Sequence, residues 1–88
     1  MGFKETIAEY GYTFIPIEKP FIKIKKIDEW NLVDTVIIFD PESKTISGGL
    51  ITLAPIKTID DIAHQYKIFR SFDKDIKYFS KQTGYDII

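Results

Sequence analysis

Between Leu32 and Leu53 the apolar positions fall into two short β-prone runs separated by the polar segment Asp40-Pro41-Glu42-Ser43-Lys44. Pro41 presets φ at the second position of a turn and Asp40 supplies a side-chain acceptor at the first, so the segment predicts a hairpin closed by a type I turn. In the outgoing strand Val33, Thr35, Ile37 and Phe39 lie on one side, and Val36 and Ile38 make the other side apolar as well. Both faces of this strand are therefore expected to be partly covered. Gly48-Gly49 interrupts the return strand and predicts a bulge or a sharp bend there. Upstream, Phe21 to Ile27 alternates, with Ile22 and Ile24 assigned to the core and Phe21, Lys23 and Lys25 to a wetter face.

The period changes to that of a helix at both ends of the chain. Phe3, Ile7 and Tyr10 share one helical face and Gly11 follows at a capping position, which predicts a short N-terminal helix. Thr58 heads the C-terminal region as a hydroxyl cap, with Asp60 and Asp61 in the first turn, where the helix dipole favours carboxylates. Ile59, Ile62, Ala63, Tyr66 and Phe69 form a stripe at steps of three and four. Phe72, Ile76 and Phe79 continue it, but rotated by roughly 100° about the axis, far more than the ~20° per heptad of a straight helix. A break near Ser71 to Asp73 is the expected consequence, giving a helical pair that ends at Gly84, with Tyr85 to Ile88 packing back or adding an edge strand.

Composition narrows the functional classes. The 88 residues contain no cysteine, which excludes disulfides, thiolate nucleophiles and zinc–thiolate clusters and fits a reducing cytosol. No apolar run approaches 18 residues and no signal-peptide core follows a basic start, so neither membrane insertion nor export is expected. The net charge is −1 and no third of the chain is strongly basic or acidic. Eleven of the twelve basic residues are lysine and isoleucine occurs 17 times, a bias that matches a low-GC bacterial or phage genome. With Arg70 as the single arginine, bidentate readout of bases has little to work with.

Few side chains point to chemistry. His64 is the one group suited by type to proton transfer near neutrality, with Asp60 a helical turn before it. Asp60, His64, Lys67 and Ser71 also trace a polar helix face, so His64 is expected to be a solvated surface residue. Asp34, Asp40 and Glu42 alternate along a strand and turn but match no calcium loop, and neither a metal nor a cofactor is expected. Lys23, Lys25 and Lys26 interleave with Phe21 near Tyr12 and Trp30, a mixture that serves single-stranded nucleic-acid platforms or, more simply, protects an edge strand.

These patterns predict one α+β domain over residues 1–88: an antiparallel meander sheet of three or four strands, a C-terminal helical pair on one face and a short N-terminal helix at an edge. Ile37, Ile38, Phe39, Leu50, Ile62, Phe69 and Phe79 are the expected core. The functional expectation is a small cytoplasmic protein-binding module of inhibitor or adapter type, phage- or mobile-element-encoded, or a self-associating one, with no catalytic residues. Its expected surface combines Tyr12, Phe21, Lys23, Lys25 and Trp30, where an aromatic anchor is rimmed by charge. The alternative is a single-strand nucleic-acid binder using the same lysine and aromatic side chains.

Overall fold

A computed structural model describes residues 2–88. The chain runs α1 (Phe3–Glu9), β1 (Thr13–Ile15), β2 (Ile22–Lys26), β3 (Val33–Asp40), β4 (Thr45–Thr52), α2 (Ile59–Thr83) and β5 (Asp86–Ile87). The five strands form one sheet in the order β1-β2-β3-β4-β5. The first four pair antiparallel as the sequence predicts, while β5 returns parallel to β4 with Thr45 opposite Asp86 and Ile46 opposite Ile87. A parallel neighbour requires a crossover, and α2 supplies it. The sheet is thus five-stranded and mixed, because the C-terminal tail closes a β-α-β unit after Gly84 adopts the left-handed conformation at φ 75°.

The β3–β4 hairpin forms around the predicted turn. Asp40 Oδ1 accepts from the Glu42 amide at 3.1 Å and Asp40 Oδ2 accepts from Ser43 Oγ at 2.8 Å. The Ser43 hydroxyl is the main reason the Asp40 carboxyl titrates below its ordinary range. The register runs one-to-one through Ile37 opposite Gly48 and Val36 opposite Gly49, so the expected bulge is absent. Gly48 instead solves a packing problem. A Cβ there would stand 2.5 Å from the Val36 carbonyl oxygen and 3.0 Å from Phe72 Cε1, so glycine lets α2 cross close above β4.

The helical pair is one uninterrupted helix of 25 residues. Thr58 Oγ1 accepts from the Asp61 amide at 3.0 Å, Asp61 Oδ2 accepts from the Thr58 amide at 3.2 Å, and neither proline nor glycine interrupts residues 59–83. With both ends capped and no breaker between them, the helix runs through the shift of its apolar stripe without interruption. Helices α1 and α2 pack on the same face of the sheet. Ile7, Tyr12, Ile24, Ile37, Phe39, Ile46, Ile76 and Phe79 make the buried core, with Phe3 edge-on to Phe39 at 5.4 Å and Tyr10 stacked on Tyr78 at 4.7 Å. Of the expected core, Ile37, Phe39 and Phe79 are buried and Ile38 and Leu50 partly so, but Ile62 and Phe69 are exposed.

Candidate functional site

Two acidic side chains from different elements hold the underside of α2. Asp75, in the second half of the helix, accepts from the Tyr12 hydroxyl at 2.7 Å and from Lys26 Nζ at 3.2 Å, and the same ammonium reaches Ser71 Oγ at 3.3 Å. Burial, then the Asp75 hydrogen bond and charge, push the Tyr12 hydroxyl far above its ordinary value of 10.0. Tyr12 is only 3% exposed, and Lys26 lies over its ring at 5.0 Å. These residues form a structural network between β2 and α2.

Asp28 plays the matching part under the first half. Its carboxylate accepts from the amides of Trp30, Leu32 and Val33 at 3.1 to 3.3 Å, while its own amide donates to Asp34 Oδ1 at 3.0 Å. Asp28 Oδ1 then accepts from His64 Nε2 at 2.6 Å, so the imidazole ties α2 to the β2–β3 loop. Desolvation raises the Asp28 carboxyl, but hydrogen bonds from His64 and the three amides outweigh it and hold the group below its ordinary 3.8. Trp30 stacks on the outer side of the imidazole, 4.0 Å between ring centroids at 5°. A cleft of about 320 Å³ opens beside this pair, lined by Lys26, Asp28, Trp30, Thr35, His64 and Lys67 among others.

His64 is therefore not the solvated residue that its helical neighbours imply. Its side chain is 12% exposed and its partner is Asp28, 36 positions away, rather than Asp60. An acidic residue next to a turn-forming Trp-Asn pair carried no signal for such a contact.

The five residues expected to form one interaction surface are divided between the two faces of the sheet. Tyr12 and Trp30 lie on the helix side, Tyr12 buried and Trp30 54% exposed over His64. Lys23 and Lys25 alternate with core-facing Ile24 and so lie on the opposite face, where Lys25 pairs with the buried carboxylate of Asp34 at 3.4 Å. Phe21, 42% exposed, lines a shallow depression with Phe14 and Pro20. Asp34 and Asp40 stand near opposite ends of β3, and among the described residues no cluster of three or more His, Asp or Glu could hold a metal ion.

A further unexplained feature is on the outer side of α2. Ile59, Ile62, Tyr66 and Phe69 are 83, 58, 60 and 49% exposed. At 3.6 residues per turn they point roughly a third of a turn away from Phe72, Asp75, Ile76 and Phe79, which face the sheet. Arg70 stands beside this stripe, its guanidinium 5.7 Å from the Tyr66 ring and donating to the Tyr66 hydroxyl at 3.3 Å. Four large apolar side chains in one row on a charged helix form a patch of the kind that marks an interaction site.

Comparison with models of known protein families, with curated proteins and with solved structures returns no match. Among the described residues no helix is long and apolar enough to cross a membrane.

Proposed function

We propose that the protein is a small protein-binding module whose contact surface is the outer face of the first half of α2. The observation that carries this reading is the exposed row Ile59, Ile62, Tyr66 and Phe69. An amphipathic helix normally turns such a row inward, and here the inward face of the same half is occupied by His64, Ile68 and Ser71. The partner-facing row sits on a helix fixed from below by two acidic anchors, so it is presented on a rigid element, which lowers the ordering cost of binding.

The Asp28–His64 pair is read as an anchor and not as an acid–base device. Three backbone amides already engage the Asp28 carboxylate, and the Trp30 indole covers the imidazole. The separation of Lys23 and Lys25 from Trp30 by the thickness of the sheet weighs against a track that joins these lysines to the indole, as the nucleic-acid alternative supposes.

A photo-crosslinking amino acid placed at Tyr66 and, separately, at Lys77 on the polar outer face of the second half tests the reading in cells that make the protein. A discrete protein adduct from position 66 and none from position 77 is the expected result. No adduct from either, or equal yields from both, would overturn it.

A further inference from the structure

We infer that the surface on α2 is built to accept a second copy of the same chain, with the two helices antiparallel. The inference rests on the protein-binding reading above and names the partner.

The first support is the spacing of the row. Ile59, Ile62, Tyr66 and Phe69 follow one another at steps of three, four and three, a sequence that reads the same in both directions. A twofold axis across the middle of the row therefore sets Ile59 of one copy opposite Phe69 of the other, and Ile62 opposite Tyr66. Each large side chain meets another member of the row and none meets a gap, which is the self-complementarity an isologous contact demands. The steps are also those of a two-helix seam.

Charge selects the direction. Arg70 flanks the row and Asp60 lies further round on the same side of the helix, both exposed. In an antiparallel pair like flanks face each other, and the same register brings Asp60 of one copy within a turn of Arg70 of the other, twice by symmetry. Parallel pairing would instead set Arg70 against the flank of Gln65 and Phe72, and Asp60 toward the side that carries Asp61, a like charge. The four apolar side chains expose on the order of 500 Å² per copy, below the ~800 Å² of a standard interface. A reversible dimer that dissociates on dilution is the corresponding expectation.

The purified chain, examined by sedimentation equilibrium over a range of concentrations, is expected to rise from the 10.2 kDa monomer toward twice that mass. Ile62→Glu is expected to weaken dimerisation at least about tenfold, as loss of a central apolar contact does, with an unchanged circular dichroism spectrum because the side chain is exposed. Direction is read separately. The chain has no cysteine of its own, so a mixture of Ile62→Cys and Tyr66→Cys chains reports which positions meet. Mixed disulfides in excess of either homodisulfide are expected, and an excess of homodisulfides would overturn the antiparallel arrangement. A dimer that Ile62→Glu leaves intact would overturn the helix face as its seam. A chain that stays monomeric at every concentration would overturn self-association, yet if the Tyr66 crosslink still captures a different protein, the binding-module reading survives without it.

Discussion

The two halves of α2 carry apolar rows of similar regularity, and they meet opposite fates. In the second half Ile76 and Phe79 are 5 and 0% exposed beneath the helix, packed with Phe39, Tyr12 and Ile46. In the first half Ile59 and Ile62 face outward at 83 and 58% exposed, while the side toward the fold carries His64, Ile68 and Ser71, with His64 anchored on Asp28. The second half holds the domain together by apolar burial, and the first is tied to the β2–β3 loop by the His64–Asp28 hydrogen bond and the Trp30 stack. One helix thus serves as a core element along part of its length and as a presented surface along the rest.

The sharpest way to break this contrast is to truncate one aromatic residue from each half. Phe79→Ala is expected to cost about 3 to 5 kcal/mol in denaturant unfolding, because it opens a cavity among Phe39, Tyr12 and Tyr78. Phe69→Ala is expected to cost less than about 1 kcal/mol. Equal costs would mean that both halves are buried.

Next in size is the anchor of the first half. Asp28→Asn is expected to destabilise by about 2 to 3 kcal/mol, since a neutral amide cannot serve three backbone donors and an imidazole as a carboxylate does. The folded carboxyl lies below its ordinary 3.8, so its contribution is complete above that pH and is lost as pH falls through the folded value. The stability gap between wild type and Asp28→Asn should therefore close only in that acidic window, and a gap that stayed constant with pH would show that the charge of Asp28 is not what matters. Hydrogen exchange of the variant should rise along residues 59–66 before it rises along 72–79.

A smaller effect belongs to the crossing point between the halves. Gly48→Ala should cost about 1 to 2 kcal/mol by pushing Phe72 and the Val36 carbonyl aside, whereas Gly49→Ala, whose Cβ meets open space, should be neutral or slightly stabilising. Thermal melts of the two variants distinguish close helix packing at Gly48 from a general need for flexibility in β4. The smallest effect is expected at the outer face of the second half. There Lys77 pairs with Asp73 at 2.9 Å in full view of solvent, so Lys77→Ala should change stability by no more than about 0.5 kcal/mol and should leave any α2-mediated association untouched.

Local chemistry was enough to read the hairpin turn at Asp40 and Pro41, the cap at Thr58 and Asp61, the left-handed stop at Gly84 and the alternation of Lys23, Ile24 and Lys25 from the chain alone. Each depends on residues within a few positions of one another, where propensity and hydrogen-bonding capacity act without outside help. Periodicity likewise exposed two apolar rows and the rotation between them. It could not say which row would be covered, because an apolar face records only that burial is favourable and not what surface is there to provide it. That choice follows from where the sheet lies, from the close crossing at Gly48 and from the loop that carries Asp28 to His64. The expected break at Ser71 to Asp73 and the expected solvent exposure of His64 failed for the same reason. Tyr12 and Asp75 meet across 63 positions and Asp28 and His64 across 36, contacts that exist only after the sheet and helix have packed. Local sequence determined most of the elements and their ends, and only the tertiary structure decided which side of α2 became core and which was left exposed, because a face is buried only where another surface packs against it.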